Sequence, residues 1–351
     1  MTTYAYTTSF TTAGTAINLA TGDNLFVGEN VNIASTGANG IYGPGTSSVN
    51  IAGNVFGEYI GLWLYQSGTN SILVQDGGSV SGVSYGIYDS GNDSAITNAG
   101  TVSGYYALGA GGNSPEVHNH GLINGHYGVS FAAVGGTNLL TNDGAIDALV
   151  AVTGSAASDN VFNTGLINGT VILNAGADLY DGRGGGILQG TAYLGDGNDT
   201  AFGGAGADSF DGGNDLDRLR GKQGEDRLDG GLGNDTMTGG ADEDEFVFST
   251  AIGPANVDTI TDFHHGEDTI MLSSTIFAAL GPTVEKGEFY IPLFGGHNAA
   301  KGSHHLIYDQ NKGSLWYDAD GKGGAAGIKI AQLGTGDDHP TNLNFHDFAI
   351  V

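Results

Sequence analysis

LGDGNDTAF (194–202), GGAGADSFD (203–211), GGNDLDRLR (212–220), GKQGEDRLD (221–229), GGLGNDTMT (230–238) and GGADEDEFV (239–247) follow one another without a gap. The sixth place is Asp in all six units: Asp199, Asp208, Asp217, Asp226, Asp235 and Asp244. The eighth place holds Ala201, Phe210, Leu219, Leu228, Met237 and Phe246, all apolar and mostly large. The opening places are rich in Gly, which enters left-handed backbone without a steric cost. A period this short and strict marks a stacked solenoid, in which each unit is too small to bury its own apolar face.

The pattern resembles the RTX (haemolysin-type) nonapeptide GGxGxDxUx. The resemblance implies that each unit is a Gly-rich turn followed by a three-residue strand whose middle side chain points inward. Two units make one coil, so units i and i+2 stack on the same side. Stacked turns then set backbone carbonyls and two carboxylates around one gap. Such a hard-oxygen cage suits Ca²⁺ rather than a thiophilic metal. Four complete pairs follow: Asp199 with Asp217, Asp208 with Asp226, Asp217 with Asp235, and Asp226 with Asp244, with half-sites expected at the ends.

The residues implied to hold several Ca²⁺ ions are Gly195, Gly197 and Asp199; Gly204, Gly206 and Asp208; Gly213 and Asp217; and Gly221, Gln223 and Asp226. The set continues with Gly230, Leu232, Gly233 and Asp235, and with Gly239, Ala241 and Asp244. Asp215, Lys222 and Asp242 stand where the pattern has Gly, so their turns depart from it. LNAGADLYD (173–181) matches upstream, with Gly176, Asp178 and Tyr180 at the fourth, sixth and eighth places, and adds Asp178 to the metal set.

Composition agrees with this reading. Of 351 residues, 64 are Gly, 38 are acidic and 10 are basic, a net charge of −28. Such a surface repels phosphate backbones and argues against nucleic acid as a partner. No run approaches ~18 apolar residues, so no membrane span is expected. Without Cys there is neither a disulfide framework nor a thiolate metal site. Between Leu194 and Val247 lie 14 Asp or Glu and four Lys or Arg, a block that must be screened or bound by cations to fold compactly.

Upstream, a longer period takes over. NIAGNVFG (50–57), VQDGGSVSG (74–82), ITNAGTVSG (96–104), VHNHGLING (117–125), LTNDGAID (140–147) and FNTGLING (162–169) align on Gly53, Gly78, Gly100, Gly121, Gly144 and Gly165, in steps of 25, 22, 21, 23 and 21. Short Val-, Ile-, Thr- and aromatic-rich runs between Gly and Asn predict two or three strands per coil of a parallel β-helix. Asp76, Asn98, Asn119, Asn142 and Asn163 fall two residues before the aligned glycine. They are expected to form a structural ladder at a bend. Tyr59, Trp63, Tyr85, Tyr88, Tyr105, Tyr106, Tyr127 and Phe131 recur with the coils, either as a stacking strip for sugars or as stabilising stacks within the coil.

Beyond Val247 the short period is lost. VDTITDFHHGEDTIML (257–272) resembles the strand pair that follows RTX arrays in serralysin-type C-terminal regions. LIYDQNKGSLWYDADGKGGAAGIKIAQL (306–333) alternates around two turns and predicts a hairpin or meander. A cap of this kind protects an exposed solenoid edge. Asp318 and Asp320 in DADGKG lack a suitably spaced Glu for an EF-hand, so a turn is expected. The end, Asp347-Phe348-Ala349-Ile350-Val351, resembles the tail of type I secretion substrates. MTTYAYTTSF has neither a basic n-region nor an apolar h-region, so no cleaved secretory signal is expected.

The predicted fold is all-β: a right-handed parallel β-helix (1–172) running into an RTX calcium β-roll (173–248, nonapeptides 194–247) with a β-rich C-terminal cap and secretion signal (249–351), one continuous solenoid without a flexible linker. No catalytic constellation is convincing. HExxH is absent, Gly82-Val83-Ser84-Tyr85-Gly86 lacks a strand-turn-helix setting, and no Lys or Arg precedes Arg183 to neutralise an acidic sugar. His118, His120 and His126 are the remaining titratable cations there, while His264, His265, His304 and His305 read as surface. The expected function is a secreted solenoid that folds on Ca²⁺ outside the cell, with a structural or adhesive role at the cell surface or in the matrix. The type I secretion machinery is its implied partner, with extracellular polysaccharide or self-association as further ones. The alternative is a carbohydrate-active β-helix enzyme or a carbohydrate-binding module.

Overall fold

Alternation within very short runs decides the architecture. In Asn32–Ser35, Ser48–Ile51 and Asn54–Gly57 every second side chain is buried, which leaves each run able to cover one face of a core and no more. The computed structural model describes residues 2–65, 68–293, 295–336 and 338–351, and of Val134 the backbone. It is an all-β parallel solenoid: among the described residues there is no α-helix, only the 3₁₀ turn Phe345–Asp347, and no helix is long and apolar enough to cross a membrane. The chain divides into two compact units, Met1–Tyr193 and Leu194–Val351.

In the first unit each coil pairs in parallel with its neighbours. One face is built from the strands that begin at Thr3, Asn24, Ser48, Ser71, Ala95, Glu116, Thr137, Ser158 and Leu179. The step between coils is not constant: Asn24 pairs with Ser48, whereas the shorter last step pairs Asn160 with Leu179. On the next face Ile33, Val55, Val80, Val102, Ile123, Ile146, Ile167 and Leu188 stack in register. None is more than 4% exposed. β-Branched side chains suit this pleated, buried surface, and each burial is worth about 1.5–3 kcal/mol. Early coils have three separate strands. In later ones the second and third fuse into runs such as Thr101–Asn113 and Leu122–Gly135.

The Asn row is a ladder of side chains. Asn98 Nδ2 donates to Asn119 Oδ1 (2.8 Å), Asn119 to Asn142 (2.7 Å) and Asn142 to Asn163 (2.8 Å). Asp76 does not belong to it. Val74 is the register partner of Asn98, and the longer turn after Val74 carries Asp76 out to the surface. The coils beginning at Thr3 and Asn24 escape the sequence alignment because Thr8 and Glu29 stand at the register place of Gly53. Tyr85, Tyr106 and Tyr127 stack face to face at 4.8 and 4.7 Å. Ser84 sits on a bend between Ser79–Gly82 and Tyr85–Asp89, far from the helix-bearing turn that a nucleophile elbow requires.

The second unit has a tighter coil. Thr200–Phe202, Arg218–Gln223, Thr236–Ala241 and Asp258–Ile260 stack on one side. Ser209–Asn214, Arg227–Asp229, Glu245–Phe248 and Thr269–Leu272 stack on the other. Partners within the nonapeptides come from every second unit, as Phe210 with Leu228 and Leu219 with Met237. All six eighth-place side chains are at most 1% exposed. The cap closes both sides. Leu306–Asp309, Ser314–Tyr317 and Ile328–Leu333 form an antiparallel meander whose last strand pairs with Asp258–Ile260, and Phe348–Ile350 pairs with Thr269–Leu272.

Three of the four histidines read as surface residues in this unit are engaged instead. His265 Nδ1 lies 2.7 Å from Oδ1 of buried Asp347, which ties the final strand to the loop at 264–266. His304 is buried and stacks on Tyr290 at 4.4 Å. His305 bonds the carbonyl of Asp318 at 2.8 Å. A sequence without an alternating frame around these residues hides the burial. His264 is exposed. Asp320 closes its own turn by accepting from the N–H groups of Gly324 and Ala325.

Candidate metal centre

The turns of the nonapeptides carry one repeated bond. The N–H of Asp199 donates to Oδ1 of Asp217 at 2.8 Å, and that of Asp208 to Asp226 at 2.8 Å. Asp217 donates to Asp235 at 2.9 Å and Asp226 to Asp244 at 3.0 Å. All four carboxylate pairs expected from the spacing are therefore brought together. The six Asp residues are at most 5% exposed.

In Asp217, Asp226, Asp235 and Asp244 the backbone uses one carboxylate oxygen and not the other. Oδ2 of Asp217, Asp226, Asp235 and Asp244 is buried without a hydrogen-bond partner. Four buried carboxylate oxygens in such a state demand a proton or a cation. The first-place glycines show why the space exists. A Cβ on Gly212 would collide with Oδ2 of Asp217 and with the carbonyl oxygen of Gly230, which opens the turn stacked next on that side. A Cβ on Gly221, Gly230 or Gly239 would strike Oδ2 of Asp226, Asp235 or Asp244 in the same way. At Gly203 and Gly212 the missing Cβ leaves a carboxylate oxygen and the carbonyl oxygen of the next turn facing one position.

The backbone holds this shape even where Gly is lost. At the second place Gly195, Gly213, Gly231 and Gly240 have φ of 115°, 102°, 90° and 123°; at the fourth, Gly197, Gly224 and Gly233 have 132°, 107° and 156°. Asp215, Lys222 and Asp242 keep positive φ of 79°, 92° and 81°, at a steric cost of roughly 1–2 kcal/mol each. The turn at 203–208 differs. Gly204 and Gly206 lie outside the left-handed region, and the N–H of Gly204 closes Oδ2 of Asp208 at 2.7 Å.

Burial pushes these carboxyls up. Asp217 and Asp226 rise to about 8, through loss of solvent first and then through the like charges of Asp235, Asp199 and Asp215 around the former and Asp208, Asp244 and Asp242 around the latter. Asp208 and Asp244 rise to about 6 for the same first reason. The basic side chains give little relief. Arg227 pairs with Glu245 on the outer surface, both half-exposed. Among the described residues no three His, Asp or Glu side chains converge, so a cation here draws on backbone carbonyls as well. Two carboxylates and turn carbonyls fit Ca²⁺, a large cation that takes six to eight oxygens in flexible geometry.

Two residues of the same ladder lie past the last nonapeptide. Asp235 N–H donates to Oδ1 of Asp258 at 3.0 Å and Asp244 N–H to Oδ1 of Asp268 at 3.1 Å. Their wider spacings, 23 and 24, hide them from a search at the period of the array. The signal was present in GPANVDTIT (253–261) and FHHGEDTIM (263–271), each with Asp sixth and Ile eighth. Asp178 makes the same contact in the first unit, where its Oδ1 accepts from Asp159 N–H at 2.8 Å. There, Asp159 is met by the amide of Asn138 at 2.5 Å and the N–H of Ser155 at 2.8 Å.

The three N-terminal histidines each have a partner of their own. His118 contacts Thr141 (2.7 Å), His120 contacts Asp143 (2.6 Å), and His126 stacks on Tyr105 at 4.8 Å. No curated protein matches the chain. The family described as RTX calcium-binding nonapeptide repeat (4 copies) matches residues 191–219 and 211–246. With that match on turns whose carboxylates are paired, buried and half-satisfied, residues 191–246 are RTX calcium-binding repeats, and the protein is a calcium-binding repeat protein built as a β-solenoid.

Proposed function

We propose that the chain is a secreted, non-enzymatic solenoid that Ca²⁺ stabilises outside the cell, and that its role is structural or adhesive at the cell surface or in the matrix. The observation that carries this reading is the row of buried Oδ2 atoms on Asp217, Asp226, Asp235 and Asp244. In a calcium-poor cytoplasm these carboxylates oppose compaction; at extracellular calcium, Ca²⁺ supplies the missing countercharge and, by binding the stacked state alone, stabilises it through mass action. Dissociation constants of about 10⁻⁴–10⁻³ M suit an extracellular module. Export by a type I system fits the RTX repeats.

An adhesive surface has a physical counterpart in the first unit. Tyr59, Val83, Tyr105, His126 and Leu149 occupy successive corners, and Tyr59, Val83, Tyr105 and Leu149 are 50–65% exposed. A column of exposed, mostly apolar side chains at successive corners fits a contact surface better than a random scatter. The neighbouring tyrosines hide their faces in one another, which weighs against a sugar-stacking platform.

Circular dichroism melts of the full chain in calcium and in EDTA test the calcium part. A higher melting temperature and more β-signal in calcium are expected; equal curves contradict it. Retention on cell envelopes or extracted matrix tests the role. Loss of retention in Tyr105→Ser with Leu149→Ser, with unchanged melting, is the expected result, and turnover of any polysaccharide would contradict it.

A further inference from the structure

A further half-satisfied carboxyl lies in the meander, away from the stacked aspartate turns. Asp318 directly follows the strand Ser314–Tyr317 and is 4% exposed. Its Oδ1 is buried with no hydrogen-bond partner. The amides of Asp320 and Gly321 bear on this carboxyl, but Oδ1 accepts from neither. An oxygen in that state has lost water and gained no donor in return.

Asp320 adds to the strain on it. Its carboxylate accepts from the N–H groups of Gly324 at 3.1 Å and Ala325 at 3.3 Å. The Ala325 amide foremost holds Asp320 below the ordinary carboxyl value, so it is ionised. The two carboxyls are close enough to act on each other, and Asp318 is pushed up, by burial first and then by Asp320. No countercharge is bonded to them. Lys301 and Lys322 are exposed, and none of the ion pairs among the described residues includes Asp318 or Asp320.

The loop is folded closely around this pair. Asp318 N–H donates to the carbonyl of His305 at 2.9 Å, and Lys322 N–H to the carbonyl of Lys301 at 3.0 Å. Gly321 has φ of 62°, and a Cβ there would collide with the carbonyl oxygen of Gly302. A Cβ on Gly323 would collide with both carboxylate oxygens of Asp320. Two carboxylates and nearby carbonyls are thus gathered in one Gly-rich loop clasped to 301–305, a set of hard oxygen donors.

We infer that the loop at 318–325 binds one Ca²⁺ between Asp318 and Asp320, at a site separate from the nonapeptides and from the aspartate ladder. The EF-hand spacing is not required. The buried Oδ1 of Asp318 supplies the demand for a cation, and water on the open side completes a shell of six to eight oxygens. The ion fixes the connection between the strands Ser314–Tyr317 and Ile328–Leu333. The inference does not depend on the repeats being calcium sites.

Trp316 lies two residues before Asp318, whereas residues 194–247 hold neither Trp nor Tyr. Tb³⁺, a luminescent stand-in for Ca²⁺, therefore reports on this loop when Trp is excited. The full chain carrying Trp63→Phe keeps Trp316 as its one Trp. It is expected to show Trp-sensitised Tb³⁺ emission that Ca²⁺ displaces. Adding Asp318→Asn with Asp320→Asn should abolish the emission and leave the β-signal in place. Emission that survives the Asn pair, or that is absent before it is introduced, overturns the inference; calcium-dependent melting reads the repeats separately. If the Asn pair does not fold, anomalous scattering from calcium in wild-type crystals decides. A peak between Asp318 and Asp320 supports the site, and a map without one there refutes it.

Discussion

Asp217 gives its N–H to Oδ1 of Asp235 at 2.9 Å while its own Oδ2 lies buried with no partner. One residue is thus half of two rungs: its backbone is satisfied by the turn after it, and its carboxylate is held ready for a cation. Repeated along both sides of the second unit, this contact converts a regular spacing of aspartates into a column of buried negative charge.

The column has a pH signature. Asp217 and Asp226 are pushed to about 8, and Asp208 and Asp244 to about 6, against 3.8 for an ordinary Asp. The folded pKa is above the unfolded one, so the fold favours the protonated form. The stabilisation is full below pH ~4 and is lost as pH rises through 6 to 8. Denaturant melts in EDTA are expected to show the second unit weakening from pH 4.5 to pH 8. With calcium the trend should be much reduced, and binding between pH 6 and 8 should release protons.

Gly230 is expected to be intolerant of a side chain. A Cβ there meets Oδ2, Cβ and Cγ of Asp235. Gly230→Ala should cost about 1–3 kcal/mol by overpacking and weaken calcium binding at that turn. A calcium titration followed by melting temperature checks it; an Ala variant that binds like wild type contradicts the geometry.

Lys222 offers the opposite test. Its φ of 92° suits Gly and strains Lys. Lys222→Gly should stabilise the calcium-bound chain by about 0.5–1 kcal/mol, the steric relief of leaving a strained left-handed site less the extra entropy of Gly. Chemical denaturation of the two proteins in calcium measures this difference.

Asn138 shows what replaces a cation where none is needed. Its amide donates to Asp159 Oδ1 at 2.5 Å. Asn138→Asp removes the donor and sets two buried carboxylates face to face, at a cost of at least about 1–3 kcal/mol. Melting of the first unit should drop in EDTA and recover in part on adding calcium. A drop indifferent to calcium would limit the role of Asn138 to packing.

Much of this molecule could be read from spacing. Strict periods expose the nonapeptides because Asp199 to Asp244 never slip register, and the eighth-place side chains fix which face is inside. What stayed hidden has physical causes. Asp258 and Asp268 belong to the same ladder, but extra turn residues stretch their spacing to 23 and 24, and hydrogen bonding tolerates that stretch where an alignment does not. Asp76 looked like a ladder residue because its distance to Gly78 matched, although the turn before it had grown. The pairing of His265 with Asp347 joins the last strand to a loop far upstream in sequence, which no local pattern records.

Amide hydrogen exchange on the full chain, followed by mass spectrometry with and without EDTA, tests the central claim most directly. Slow exchange across residues 200–272 in calcium and fast exchange there in EDTA are predicted, with residues 24–172 protected in both. Equal protection of 200–272 in the two conditions would show that the aspartate column folds without an ion, and would contradict the account.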